Sequence, residues 1–189
     1  PFTVDELTNM SSSDFSTLAY GMSQGRGKDR VKASANELRQ NLTSWQCISL
    51  CSSNASFYEK LASLKTSPDG EMMRLIEYKI DFNDVLEPAF AKSMFDHQLK
   101  ENFGHAGDVY AKWLVDNLEE AKNALLGIQA KIDKELKLTQ RERFWSAVVA
   151  ANITGGLIAK NIGILNWDMK AIYTWATQMI LSLRKDVTP

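Results

Sequence analysis

Two neighbouring carboxylates follow an apolar run at the start of the chain, in Val4-Asp5-Glu6. Phe2–Val4 has the composition of a short strand. A buried strand that ends in Asp-Glu places both carboxylates at the edge of a sheet where α/β proteins bind ligands. In ATPases such an Asp helps to hold Mg²⁺, and the Glu polarises the attacking water. By itself the pair is more typical of exposed acidic residues after a strand.

A second candidate is Asn54, at the end of Ser52-Ser53-Asn54. The apolar stretch Trp45–Cys51 before it is short, as in a buried strand. An amide side chain after such a strand can orient a water molecule or contact a γ-phosphate, because it both donates and accepts hydrogen bonds. The alternative is that these polar residues cap the helix predicted from about Ala55.

A third candidate is Arg74, which opens the stretch Arg74–Phe82. Polar and apolar residues alternate there, and this pattern predicts a strand. An arginine at the mouth of a strand can stabilise charge on a transferring phosphoryl group, as an arginine finger does. The alternative is a surface ion pair with Glu71 or Glu77.

Basic residues are concentrated in a glycine-containing segment, residues 25–39. Asp29–Ser34 and Leu38–Leu42 are predicted to form the arms of a hairpin. A mobile basic hairpin can follow the phosphates of a nucleic acid without recognising bases. An ordinary charged surface loop is the alternative. The candidate DNA-binding residues are Arg26, Lys28, Arg30 and Lys32, with Arg39 nearby.

The elements that must position these residues change character along the chain. Residues 1–83 mix short strands, helices and turns, and residues 84–189 show helical periodicity. Apolar residues spaced by three and four from Leu114 to Leu136 predict one long helix. The sequence begins in what is predicted to be the middle of a strand, so we expect further sequence upstream.

Two further helices have recognisable starts. Thr139-Gln140-Arg141-Glu142 is a capping-box pattern that opens one of them, and the pair Gly155-Gly156 within it predicts close packing or a break. Asp168 is predicted to cap the last helix, which extends to about Leu183. The expected fold class is therefore α/β, with a short sheet and hairpin followed by a helical bundle.

Composition sets limits on function. Hydrophobic residues make up 44% of the chain, charged residues 24%, and the net charge is -1. This is the balance of a globular protein, and nucleic acid must therefore be bound by a local basic patch. No apolar run approaches the ~20 residues of a membrane-spanning helix, and no secretory leader is evident, so a cytoplasmic protein is expected.

The order of the motifs along the chain resembles the superfamily 3 helicase core of the AAA+ class, and more closely that of phage and plasmid primase-helicases. Asp5 and Glu6 match the Walker B motif, Asn54 matches sensor 1, and Arg74 in Met72-Met73-Arg74-Leu75-Ile76-Glu77 matches the arginine finger. The segment from Gly25-Arg26-Gly27-Lys28-Asp29-Arg30 to Thr43-Ser44-Trp45 resembles that family's hairpin, which grips single-stranded DNA, so the resemblance implies single-stranded DNA as the partner.

The resemblance extends into the C-terminal half. Gly104-His105-Ala106-Gly107, Gln140-Arg141-Glu142-Arg143 and Gly155-Gly156-Leu157-Ile158-Ala159 resemble the family's helical region. Residues 1–83 would then be the C-terminal half of a P-loop ATPase core, and 84–189 the helical bundle.

The resemblance implies an ATP-driven DNA helicase or translocase that acts in phage or plasmid replication. Asp5, Asn54 and Arg74 would contact Mg²⁺ and ATP, Asp5 would be the metal ligand, and subunits would form a ring, as a hexamer, in the cytoplasm. One departure is the absence of a Walker A motif. The stretch Met22–Lys28 comes nearest, but Asp29 stands where Ser or Thr is required. The chain alone is therefore expected not to hydrolyse ATP.

Two other functions fit the same residues. One is a regulatory AAA+-type ATPase module that uses the same site for remodelling. The other is a non-enzymatic helical interaction module, in which residues 1–83 are only a platform.

Overall fold

The computed structural model describes residues 2–4, 7–27, 30–31, 38–39, 43–46, 48–63, 69–80 and 87–187. Helices account for most of these residues, whereas each strand contains only two or three. In chain order the elements are β1 (Phe2–Val4), α1 (Ser12–Gln24), β2 (Arg30–Val31), β3 (Leu38–Arg39), β4 (Ser49–Cys51), α2 (Phe57–Ala62), α3 (Asp69–Met72), α4 (Pro88–Ser93), a π-helical turn (Met94–Gln98), α5 (Leu99–Glu101), α6 (His105–Asp116), α7 (Leu118–Leu136), a 3₁₀ turn (Gln140–Glu142), α8 (Arg143–Asn161) and α9 (Met169–Val187).

The predicted fold class, α/β with a partial P-loop core, is wrong. The molecule is mostly helical, and its described strands form two separate two-stranded pairs, β1 with β4 and β2 with β3. The alternating pattern from Arg74 does not give a strand, because residues 75–80 are irregular. Local bonds hold this segment instead, since the buried Tyr58 hydroxyl donates to the Leu75 carbonyl at 2.8 Å.

The first pair of strands is parallel, with Phe2 opposite Ser49 and Val4 opposite Cys51. Beyond it, the Leu7 amide donates to the Ser52 carbonyl at 3.1 Å, so the two chains remain adjacent after the strands end. The strand predicted at Phe2–Val4 is confirmed. The strand predicted over Trp45–Cys51 is confirmed only in its last three residues.

The chain divides into two compact units. One comprises Pro1–Glu77 with Leu183–Pro189, and the other comprises Tyr78–Ser182. The boundary predicted between 83 and 84 lies outside the described residues. In the first unit, Phe15 of α1 stacks on Phe57 of α2 with ring centroids 4.1 Å apart. The buried apolar residues of this unit are Leu7, Phe15, Ala19, Tyr58, Leu61, Met72 and Leu183.

The second unit is built around α7 and α8, which pack against each other. The predicted long apolar stripe is divided at Asn117, which ends α6 and precedes α7. The predicted capping box is confirmed, because the Glu142 carboxylate accepts from the Thr139 amide at 2.7 Å while the Thr139 side chain caps in return. Ile132 of α7 and Trp145 of α8 are fully buried.

Gly155 and Gly156 lie within α8, which continues through them without a break. Their role is close packing. A Cβ at Gly156 would lie 2.5 Å from Cε of Met169, and one at Gly155 would lie 3.3 Å from the Tyr110 hydroxyl. The absence of side chains lets neighbouring residues of the second unit approach the backbone of α8.

Candidate functional site

The base of the basic hairpin is built on the end of α1. Gly25 ends that helix with φ +67°, a left-handed conformation that favours glycine. The Trp45 amide donates to the Gly25 carbonyl at 2.8 Å, and the Gly27 amide donates to the Thr43 carbonyl at 2.9 Å. A Cβ at Gly25 would approach the Trp45 carbonyl to 3.0 Å. The left-handed backbone conformation and the close approach of the Trp45 carbonyl therefore both require glycine at position 25, where the hairpin begins.

Trp45 fixes the hairpin to α1 through its side chain as well. Its indole Nε1 donates to the Met22 carbonyl at 2.9 Å, one of the carbonyls that the end of a helix leaves without an intrahelical partner. The sequence analysis treated Trp45 only as the start of an apolar strand. The position of Trp45 shortly after the second arm of the predicted hairpin is the sequence signal that could have identified this anchor.

The hairpin prediction is confirmed where the structure describes it. Arg30 is opposite Arg39, Val31 is opposite Leu38, and Arg26 forms an isolated bridge with Ser44. Three residues lie between Arg26 and Arg30 on the first arm, but four lie between Arg39 and Ser44 on the second. The antiparallel register therefore shifts by one residue between the Arg30–Arg39 pair and the Arg26–Ser44 bridge.

Two of the predicted DNA-binding residues therefore have described backbones in this hairpin, Arg26 and Arg30, and Arg26 is exposed. The other two, Lys28 and Lys32, lie outside the described residues. Arg39, which belongs to the same basic segment, lies directly across from Arg30 in the backbone register.

The ends of β1 and β4 lie side by side, as the nucleotide-site prediction requires. Asp5 and Glu6 lie outside the described residues, but Val4 and Leu7, which flank them in sequence, are next to Cys51 and Ser52. Their predicted roles stay predictions.

Beyond the strands, hydroxyl and amide groups gather around Thr8. Its hydroxyl accepts from the backbone amide of Asn54 at 3.0 Å and lies 3.3 Å from the Ser53 hydroxyl. Asn54 itself is exposed. Lys60 lies beside this group, and its ammonium donates to the carbonyls of Thr8 and Met10, the latter at 3.2 Å.

The alternative role for Ser52-Ser53-Asn54, capping the helix that follows, is wrong. Ser56 is the cap, and its hydroxyl accepts from the Glu59 amide at 3.2 Å. The Glu77 carboxylate accepts from the Phe57 amide at 2.7 Å. Burial raises the pKa of Tyr58 well above its usual range, and the nearby negative charge of Glu77 raises it further. Asn54 is therefore left with its side chain outside this capping arrangement.

Arg74 does not lie on a strand. It follows α3, its guanidinium donates to the Gly70 carbonyl, and its Cζ lies 4.8 Å from the centre of the Tyr20 ring. The two carboxylates proposed as its ion-pair partners also make other bonds: Glu71 accepts from the Ser16 hydroxyl at 2.6 Å, and Glu77 accepts from the Phe57 amide at 2.7 Å. Arg74 thus contributes to the packing of α1 against α3 in addition to any role toward a nucleotide.

Metal-binding groups and membrane-spanning helices are both missing from the part of the chain that the structure describes. No three of its His, Cys, Asp and Glu side chains are grouped as a metal would require. None of its helices combines the length and apolar character needed to cross a membrane. Comparison with protein families, with curated proteins and with solved structures gave no match to this chain.

Proposed function

We propose that this chain is part of an ATP-driven DNA helicase or translocase that acts in phage or plasmid replication, with the hairpin gripping single-stranded DNA. Its place of action is the cytoplasm, that of the bacterial host if the protein is phage-encoded. The observation that carries the proposal is the attachment of the basic hairpin to α1. Hydrogen bonds of Trp45 and Gly25 fix the base of the hairpin to the end of this helix.

An anchored hairpin suits a translocase because force must pass from the protein to the DNA. The hydrogen bonds of Trp45 and Gly27 tie the hairpin base to the end of α1, so movement of the helix moves the hairpin. Arginine and lysine contacts to phosphates bind every sequence alike, as movement along DNA requires.

The ATPase part of the proposal is supported by the adjacent ends of β1 and β4. Carboxylate, hydroxyl and amide oxygens are the ligand types that Mg²⁺ accepts. The hydroxyls of Thr8 and Ser53 lie 3.3 Å apart, and the backbone of Asn54 is bonded to Thr8. Asp5 would hold the cation, Glu6 would orient and activate water, and Asn54 would contact the γ-phosphate. Bound Mg²⁺-ATP would supply the phosphoryl group whose transfer drives movement.

The test is binding of this chain to a fluorescent oligothymidylate at several salt concentrations. Replacing Lys28 and Arg30 with alanine should weaken binding and flatten its dependence on salt, because fewer counterions are released. The matched control replaces Lys100 and Lys112, exposed lysines of α5 and α6, and should change neither quantity. Equal binding and equal slopes for the two double variants would show that the hairpin is an ordinary charged loop.

A second candidate, the helical interaction module, is favoured by exposed aromatic rings in the second unit. Phe90, Phe95 and Phe103 are 48%, 59% and 76% exposed. Exposed aromatic residues in one segment are typical of protein-binding surfaces. If the chain is an interaction module, replacing Phe95 and Phe103 with serine should abolish binding to a protein partner. The parent chain itself should then show no DNA binding.

A further inference from the structure

Residues 88–101 form one continuous helix in three parts, α4, the π-helical turn and α5. Local bonds set its start, because the Glu87 carboxylate accepts from the Phe90 amide at 2.9 Å and Pro88 occupies the first position. None of residues 87–101, all of which the structure describes, is buried. A helix of this length is only marginally stable in water by itself, so we expect one of its faces to be covered.

The π-helical turn decides which residues share a face of this helix. Four residues make about one turn of an α-helix, so Met94 lies one turn beyond Phe90. Five residues make about one turn of a π-helix, and the π-helical turn begins at Met94, so Leu99 lies one turn beyond Met94. In an unbroken α-helix, Leu99 would be rotated far away from Met94. The π-helical turn thus aligns Phe90, Met94 and Leu99 in one apolar row, and Phe103 follows just after the helix ends.

The two sides of this helix differ in chemistry. Leu99 is 47% exposed, and Phe95 beside the row is still more exposed. The charged and polar residues that lie two positions, or about half a turn, from a member of the row are Lys92, Asp96, His97 and Glu101. The helix is therefore amphipathic, and the apolar row is the face that requires a partner.

We propose that a second copy of this chain covers the apolar row, as an antiparallel helix pair about a two-fold axis. A two-fold interface requires a surface that is complementary to itself. The row meets this requirement, because its order is aromatic, aliphatic, aliphatic, aromatic in either direction. Antiparallel pairing places Phe90 against Phe103 of the second copy, and Met94 against Leu99 of the second copy.

The exposed area is also sufficient for a dimer. Phe90, Phe95, Leu99 and Phe103 leave roughly 450 Å² exposed in each copy, at about 200 Å² for a fully exposed large side chain. This is about half of the ~800 Å² that each partner buries in a standard interface, and polar residues beside the row can supply a rim. The proposal names the partner for the aromatic surface of the second candidate function, and it does not depend on DNA binding by the hairpin.

The experiment measures the mass of the full chain by analytical ultracentrifugation through the micromolar range of protein concentration. The parent chain should pass from monomer to dimer. Leu99→Lys should weaken dimerisation by roughly a hundredfold, because a charge enters the apolar row twice in every dimer. Leu126→Lys, at an exposed leucine of α7, is the matched control and should dimerise as the parent does.

Hydrogen exchange separates loss of the dimer from misfolding. Amide protection in residues 88–101 should increase with protein concentration as the dimer forms, while protection in the largely buried α8 stays constant. In Leu99→Lys, α8 should keep its parental protection, and residues 88–101 should exchange rapidly at every concentration.

Disulfide formation tests the direction of pairing, in chains whose two native cysteines are replaced by serine. Met94→Cys mixed with Leu99→Cys should cross-link efficiently. Met94→Cys alone should not, because the two copies of this residue are offset by about 7.5 Å along an antiparallel pair.

The outcomes separate this surface from the proposed function. A parent chain that stays monomeric, a dimer that Leu99→Lys leaves intact, or efficient cross-linking of Met94→Cys with itself would each overturn the proposed pairing. A monomer that binds a different protein through Phe95 and Phe103 would also overturn it, but would support the interaction module. A dimer that does not bind oligothymidylate would leave this surface in place and remove the DNA-binding function.

Discussion

Asp168 shows how one carboxylate fixes the start of a helix. Its Oδ1 accepts from the Lys170 amide at 3.0 Å and from the Ala171 amide at 3.1 Å, in the first turn of α9. The Ala171 and Lys170 amides lower the pKa of Asp168 below 3.8, and the positive charge of Lys160 lowers it further. The ionised form is therefore the one that stabilises the fold.

Replacing Asp168 with asparagine should lower the melting temperature at pH 7. The asparagine can still accept the two amide hydrogen bonds but lacks the charge. Because the folded pKa lies below the unfolded value, the advantage of aspartate is complete above about pH 3.8 and is lost as the pH falls through the folded pKa. Melting curves of both proteins between pH 7 and pH 3 should therefore converge in acid.

The control is Asp186→Asn, in the last turn of α9. This change removes the same charge from a helix C-terminus, where a carboxylate is unfavourable, so it should not lower the melting temperature. A gap between parent and Asp168→Asn that persists unchanged at pH 3 would mean that the asparagine perturbs α9 by some means other than charge.

At the level of elements, the glycines of α7 and α8 differ in what surrounds them. Gly127 has open space around its Cα, whereas a Cβ at Gly156 would lie 2.5 Å from Cε of the buried Met169. Both glycines lie inside helices, where alanine is preferred by about 1 kcal/mol. Only at Gly156 does the packing between elements oppose that preference.

Gly127→Ala should therefore raise the free energy of unfolding by about 0.5–1 kcal/mol. Gly156→Ala should give no such gain and is expected to be neutral or destabilising, because Met169 must leave its position. Urea denaturation of the two variants and the parent measures both changes. Equal stabilisation by the two alanines would show that Met169 moves aside at no cost, and that the glycine in α8 has no packing role.

For the whole molecule, the proposed ring requires Arg74 to act on a neighbouring subunit. Its present contacts with Tyr20 and the Gly70 carbonyl hold it within its own subunit. A finger function therefore requires that the guanidinium exchange these contacts for a neighbour's nucleotide. A structural function requires only that the contacts persist.

The two functions differ when variants are mixed in a longer parent that carries a phosphate-binding loop. Arg74→Ala and Glu6→Gln should each hydrolyse ATP slowly, the former by a factor of ~10³ if Arg74 is a finger. Mixed rings contain interfaces with both groups intact, so phosphate release should partly return on mixing. Arg143→Ala is the control and should keep the parental rate.

If Arg74 is only structural, its loss removes the contacts with Tyr20 and Gly70 and lowers stability. Mixing with Glu6→Gln then restores nothing. Absence of rescue in rings shown to contain both variants would therefore remove Arg74 from the proposed site.

Much of the local structure could be predicted from the sequence, because its causes are local. The capping box of Thr139 and Glu142 and the cap at Asp168 both depend on side chains acting on backbone groups a few residues away. The hairpin arms were also predictable, since β2 and β3 are close in sequence. The basic residues of the candidate site were recognised for the same reason.

The fold class and the partners of each site residue were decided by the tertiary structure. The alternation after Arg74 predicted a strand, but residues 75–80 are irregular, and Tyr58 and Glu77 tie this segment to α2. The sequence placed Arg39 in the basic segment, but only the tertiary structure shows that it lies opposite Arg30. The periodicity of a sequence indicates which residues can lie on the same face of an element. The strand with which a segment pairs comes from elsewhere in the chain, and packing determines it.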